Sequence, residues 1–188
     1  MRTPVFWRLI AAFGCWWFAG AMVFVQLGPF MAEKEFGLRF AALAVMAFGA
    51  GNGFGKIGMG IAADRIGGRH AFQVATIIAG LAMLGMTAAD SQGALLVTTA
   101  LFGFGFGGGT PQLTTVGVTL FGLRSVGILM GAVLALIGIV GAGGPFVSGL
   151  VFDLQGSYGP AFVLGAIVFL AGVLISTTLH PPLRENAN

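Results

Sequence analysis

The stretch GNGFGKIGMGIAADRIGGRH, residues 51–70, combines a glycine-rich apolar run with a cluster of charged residues. It places Lys56 inside a glycine-rich apolar run, eight residues before Asp64 and close to two arginines that follow. A lysine in a soluble domain keeps its ammonium in water. Here the neighbouring residues are almost all apolar or glycine, so the environment of this charge has to be inferred from the rest of the chain.

The composition of the chain is that of an integral membrane protein. Its residues are 57% hydrophobic and only 8% charged, whereas soluble domains carry about 25% charged residues. The net charge of +3 is small and the basic residues form no stripe, which excludes a nucleic-acid partner. With one cysteine, Cys15, the chain can form neither an internal disulfide nor a metal site built from thiolates. The lipid bilayer is therefore the expected partner.

Six apolar stretches are long enough to cross a bilayer, which takes about 20 residues in a helix. We predict one all-α membrane domain over residues 1–188, with Pro160 in the first turn of the last helix and Pro181 and Pro182 ending it. The predicted spans are approximately 7–30, 39–62, 70–89, 93–120, 126–152 and 160–180.

The basic residues of the short loops predict the orientation. With a cytoplasmic N-terminus, six arginines lie on the cytoplasmic side, whereas only Lys34 and Arg39 lie outside. We therefore expect a multi-pass protein of the cell (inner) membrane with both termini in the cytoplasm. The six arginines are Arg2, Arg8, Arg65, Arg69, Arg124 and Arg184.

An internal repeat is visible in the loops. GIAADRIGGRHAF (60–72) and GLVFDLQGSYGPAF (149–162) share a glycine, an aspartate four residues later, a glycine three residues after that, and a final Ala-Phe. Three crossings separate the two copies, so they lie on opposite membrane faces. The pattern predicts two inverted three-helix repeats, an architecture of secondary transporters.

Lys56 is the main candidate for a binding residue. Asn52, Lys56 and Gly60 are four residues apart and share one face of a helix. A lysine at the centre of a membrane helix costs roughly 2.5–3.5 kcal/mol, and no acidic residue lies in the core of a predicted span. One interpretation is an anion site whose counter-charge is the substrate. The other is a lysine that extends its stem toward the lipid headgroups.

Two glutamines are further candidates. Pro111 is expected to kink the fourth helix, and kinked helices often line transport sites, so one interpretation is that Gln112 faces a cavity. The same interpretation applies to Gln26 in the first helix. Hydrogen bonds between helices are the alternative for both. No nucleophile with a base and no metal-ligand cluster falls within the spans, so we predict neither an enzyme nor a cofactor.

The loop after the second span carries a recognisable motif. GMGIAADRIGGR resembles the G-x-x-x-D-R-x-G-R-R signature of the major facilitator superfamily, with Gly68 inserted before the last arginine position. A plain topology-determining loop is the alternative. Similarity to the family's seventh, tenth and eleventh-to-twelfth helices implies half of a major-facilitator fold, the C-terminal six helices. The signature positions are Gly60, Asp64, Arg65, Gly67 and Arg69.

The chain most resembles the oxalate/formate exchanger and monocarboxylate porter branch, in which a basic residue eight positions before the loop acid anchors the substrate carboxylate. Lys56 has that spacing from Asp64. The resemblance implies secondary-active transport of a small, monocarboxylate-like organic anion by alternating access, as an antiporter. Asn52 stands where proton-coupled porters tend to have an acid, and 126–152 lacks the second cation expected of oxalate exchangers.

Because the family's substrate path lies between two six-helix halves, we expect a half transporter. Its second half would be another copy in a homodimer or a separately encoded N-terminal half, with Lys56 near the shared axis. The alternative is a non-transporting truncated fragment or a regulatory subunit of a transporter.

Overall fold

A computed structural model of the protein describes residues 4–34, 36–122 and 126–179. Each of its six helices is long and apolar enough to cross a membrane. This confirms the predicted all-helical fold and the number of spans. The helices are α1 (Pro4–Glu33), α2 (Leu38–Ile66), α3 (Gly68–Thr87), α4 (Gln92–Phe121), α5 (Val126–Gln155) and α6 (Gly159–Ser176).

Several helices end at positions other than those that hydropathy predicts. The second ends at Ile66 rather than at 62, because its backbone hydrogen bonding continues through the charged residues that end the apolar run. The last ends earlier than predicted, at Ser176 rather than at 180. Pro160 lies in the first turn of α6, as predicted. The two prolines predicted to end α6, Pro181 and Pro182, lie outside the described residues.

The helices pack as two inverted three-helix repeats, α1–α3 and α4–α6. The most extensive contacts join the two repeats: α2 with α4 and α3 with α4. The pairs equivalent to them by the repeat symmetry, α5 with α1 and α6 with α1, are also extensive. The contact between α3 and α6 lies between equivalent helices of the two repeats. The packing therefore has the approximate two-fold symmetry that the loop motifs predict.

In both loop copies a glycine with positive φ directly follows the helix. Gly67 ends α2 with φ +82° and Gly156 follows α5 with φ +69°, a left-handed region that strongly favours glycine. Each follows an aspartate by three residues, Asp64 in one copy and Asp153 in the other. In each copy the glycine N–H donates to the carbonyl four residues earlier, at 2.9 and 2.7 Å. The sequence match is therefore also a structural match.

Four glycines allow α2 and α4 to approach at backbone distance. A Cβ built on Gly51 or Gly55 of α2 would overlap backbone atoms of α4. A Cβ on Gly103 or Gly107 of α4 would overlap backbone atoms of α2. Small residues at such positions allow dispersion contacts between helices, which in a bilayer replace the hydrophobic driving force. We call these four residues the glycine seam, and they fix the position of α2 against α4.

At the end of the bundle opposite Gly67, charged residues complement the helix ends. The Glu33 carboxylate accepts hydrogen bonds from the Ser157 hydroxyl at 2.7 Å and from the Tyr158 N–H at 3.0 Å, where α6 begins. The Lys34 ammonium donates to the Ala89 carbonyl at 3.3 Å, just beyond the end of α3. An acid at a helix N-terminus and a base at a C-terminus are both favourable toward the helix dipole. These contacts join α1 to the ends of α6 and α3.

Candidate functional site

A cleft of about 290 Å³ opens between α1, α2 and α4 and contains Lys56. Asn52 lines the same cleft, so the structure brings together the two side chains that helical spacing places on one face. We call it the Lys56 cleft. Its lining residues are Trp17, Ala21, Phe24, Phe48, Gly49, Asn52, Lys56, Phe106 and Thr110.

Helical periodicity explains how each helix contributes to the cleft. Phe48, Asn52 and Lys56 follow one another at intervals of four residues along α2, and residues four apart lie on one face. Trp17 and Phe24 are seven residues apart on α1, which again is one face. The glycine seam holds this face of α2 beside α4, which completes the third wall.

Among the described residues that line the cleft, Lys56 is the one charged side chain. Lys56 is exposed, Asn52 is partly buried, and no carboxylate belongs to the described residues that line the cleft. The nearest acid along α2 is Asp64, about 12 Å away at ~1.5 Å of rise per residue. The described part of the cleft thus offers a positive charge and an amide without a negative counter-charge.

Gln26 and Gln112 lie elsewhere and join helices. The amide Nε2 of Gln26 in α1 donates to the Pro145 carbonyl of α5 at 3.3 Å. The amide Nε2 of Gln112 in α4 donates to the Met59 carbonyl of α2 at 3.0 Å, and this side chain is fully buried. The two bonds connect equivalent helix pairs of the two repeats, as the alternative interpretation predicts. A role for either glutamine in substrate binding stays a prediction, and the geometry does not support it.

The signature residues lie around the turn between α2 and α3. Asp64 and Arg65 occupy the last turn of α2 and are exposed. The Arg69 guanidinium, in the first turn of α3, donates to the carbonyls of Thr177 and Leu179 at 3.3 and 3.1 Å, just beyond α6. Arg69 therefore neutralises the negative end of α6.

The two remaining glycines of this segment differ in their surroundings. Gly60 has open space beside it. A Cβ on Gly68 would come within 2.7 Å of the Thr115 side chain, because α3 begins directly against α4. This close approach gives a steric reason for the glycine that departs from the signature.

Sequence reasoning missed the aromatic wall of the cleft. Trp16 is buried, with its ring stacked on Phe106 at 4.8 Å between centroids. Trp17, however, is 38% exposed and lines the cleft, as does Phe24. The seven-residue spacing of Trp17 and Phe24, with Ala21 between them, is the sequence pattern that could have predicted their shared helix face.

A comparison with protein-family models gives a match to the Major Facilitator Superfamily over residues 29–188. The chain belongs to this superfamily. Among curated proteins, none matches it significantly. The superfamily assignment agrees with the six helices, the inverted repeats and the turn after α2.

Several solved transporter structures have a fold similar to that of this chain. The E. coli fucose:proton symporter FucP superimposes with a TM-score of 0.81 at 17% identity, covering 96% of this chain and 44% of the symporter. The POT family transporter PepTSo gives 0.78 at 18% identity, covering 94% and 37%. An auto-inhibited POT family peptide transporter gives 0.77 at 17% identity, covering 93% and 37%. The chain thus spans roughly two fifths of the length of these structures.

Proposed function

We propose that this superfamily member is one half of a secondary-active transporter for a small, monocarboxylate-like organic anion. The observation that carries the proposal is the Lys56 ammonium, which lines a membrane cleft whose described walls contain no carboxylate. An isolated charge at the centre of a membrane helix costs roughly 2.5–3.5 kcal/mol. A bound anion offsets this cost, whereas a cationic substrate would increase it.

The chemistry of the cleft favours one negative charge on the substrate. Lysine acts as a compact point charge with three donors rather than as a planar fork. The cleft's described lining has no second cation, which argues against a dicarboxylate. Asn52 adds neutral donor and acceptor groups beside the ammonium, where a proton-coupled porter would tend to have an acid. We therefore propose exchange of monocarboxylates as the transport mode.

Alternating access needs a second six-helix bundle that faces the Lys56 cleft. We propose that this bundle comes from a second copy of the chain or from a separately encoded half. The cleft is open on the side away from α1, α2 and α4, so a facing bundle would enclose it. Enclosure also removes the ammonium from lipid, where leaving it exposed is costly.

We further propose that the turn after α2 faces the cytoplasm of the cell. In a Cys15→Ala background, a cysteine at Arg65 should react with an impermeant thiol reagent only in inverted vesicles. A cysteine at Asp90, which is exposed between α3 and α4, should react only in intact cells. Reaction of the residue-65 cysteine in intact cells would reverse the orientation.

Variants of Asn52 and Gln112 distinguish an amide that lines the cleft from an amide that makes a packing hydrogen bond between helices. In the full chain reconstituted in nanodiscs, Asn52→Ala should weaken propanoate binding about three- to tenfold, because a hydrogen bond near the charge is lost. Gln112→Leu should leave this affinity unchanged, because its amide joins α4 to α2 outside the cleft. Isothermal titration of propanoate provides the measurement. A larger loss for Gln112→Leu than for Asn52→Ala would contradict the assignment.

A further inference from the structure

The chemical character of the Lys56 cleft changes along its length. Phe48 and Lys56 are eight residues apart on one face of α2, which separates them by about 12 Å at ~1.5 Å of rise per residue. Asn52 lies halfway between them. On α1, Phe24 is beside Phe48, with 5.6 Å between ring centroids. One end of the cleft is therefore aromatic and the other is cationic.

The aromatic end presents ring surface that the described residues of the bundle do not cover. Phe24 is 58% exposed and Trp17 is 38% exposed, although both line the cleft. Trp17 is seven residues before Phe24 on α1, about 10 Å along the axis at ~1.5 Å of rise per residue. It lies 5.7 Å from Phe106 of α4, centroid to centroid, and extends the ring surface from Phe24 toward the middle of the cleft. Apolar residues exposed singly to lipid would need no explanation. Here the exposed rings share one cleft with the ammonium.

A small anion such as formate or acetate would occupy only the cationic end of this cleft. A planar apolar group attached to the carboxylate would reach the rings, and aromatic rings attract one another beyond the burial of their area. We propose that the substrate is an aryl-bearing monocarboxylate, with its carboxylate at Lys56 and its ring against Phe24 and Phe48. This inference rests on the proposed function and narrows its substrate class.

Binding of two anions that differ only in the ring tests the proposal. The full chain in nanodiscs is titrated with 3-phenylpropanoate and with propanoate. The phenyl compound should bind at least about tenfold more tightly, because its ring is buried against the aromatic end. Phe24→Ala should remove most of this advantage, because it should weaken binding of the phenyl compound far more than binding of propanoate.

Two further variants serve as controls. Phe54→Ala removes an exposed phenyl ring on α2 that does not line the cleft, and it should retain the full advantage. Phe24→Leu keeps an apolar side chain of similar reach, and it should lose only part of the advantage while folding like the parent chain.

The possible outcomes separate this inference from the proposed function. Equal affinities for the two anions, both dependent on Lys56, would overturn the aryl substrate and leave anion transport standing. An unchanged phenyl advantage in Phe24→Ala would overturn the placement of the ring. Failure of Lys56→Met to weaken either anion would overturn the proposed site, and the inference with it.

Discussion

Lys56→Met should lower the affinity for propanoate about 10- to 100-fold, because a hydrogen bond to a charged partner contributes roughly 1.5–3 kcal/mol and each 1.4 kcal/mol is tenfold in affinity. Methionine keeps an unbranched stem of similar length, so the walls of the cleft keep their packing. Isothermal titration of the full chain in nanodiscs measures the change. Lys56→Arg is the matched variant and should retain most of the affinity, since it keeps the positive charge.

The same substitution should increase the thermal stability of the unliganded protein. An ammonium with no carboxylate in the described lining of its cleft destabilises the empty bundle, and methionine removes that cost. A mutation that stabilises the fold and weakens binding is typical of a binding site. If Lys56→Met bound propanoate as tightly as the parent chain, Lys56 would be a headgroup-facing lysine and the proposed site would be wrong.

Gly55→Ala should destabilise the bundle by about 1–3 kcal/mol, the usual cost of forcing a methyl group into a packed contact. The added Cβ would overlap the backbone carbonyl of Phe104, which cannot move away as a flexible side chain would. The helices α2 and α4 must then separate, and Asn52 and Lys56 move with α2. Thermal unfolding monitored by tryptophan fluorescence should show the loss.

Gly53→Ala is the matched control. Gly53 is on the same helix two residues earlier and has nothing within 4 Å of an added Cβ. Alanine is the better helix former by about 0.8–1.0 kcal/mol in peptides, so this variant should be unchanged or slightly more stable. Equal effects of the two substitutions would show that the glycine seam contributes nothing specific.

The number and kind of elements could be predicted from the sequence because bilayer spans need long apolar runs. The repeat could be predicted too, since a left-handed turn at Gly67 and at Gly156 requires glycine at the same motif position. The proximity of Asn52 and Lys56 was also predictable, because it depends only on the period of one helix.

Contacts between helices could not be predicted in the same way. Whether Gln112 faces a cavity or the carbonyl of Met59 depends on how α4 rotates against α2, and the glycine seam sets that rotation only in the folded bundle. The position of Trp17 beside Phe106 depends likewise on α1 meeting α4. The periodicity of a helix shows which residues share a face, whereas packing in the folded bundle determines which helix that face contacts.

Lys56 is the one charged residue in the described lining of its cleft, and this has an electrical consequence for the proposed transporter. With a monoanion bound, the cleft is neutral, but when empty it carries one positive charge. Moving that charge through part of the membrane field involves up to about 2.3 kcal/mol per 100 mV. Reorientation of the empty cleft therefore depends on voltage, whereas reorientation of the loaded cleft does not. A carrier that crosses loaded in both directions exchanges its anions without current. The absence of a carboxylate from the described lining of the cleft thus favours exchange over net uptake.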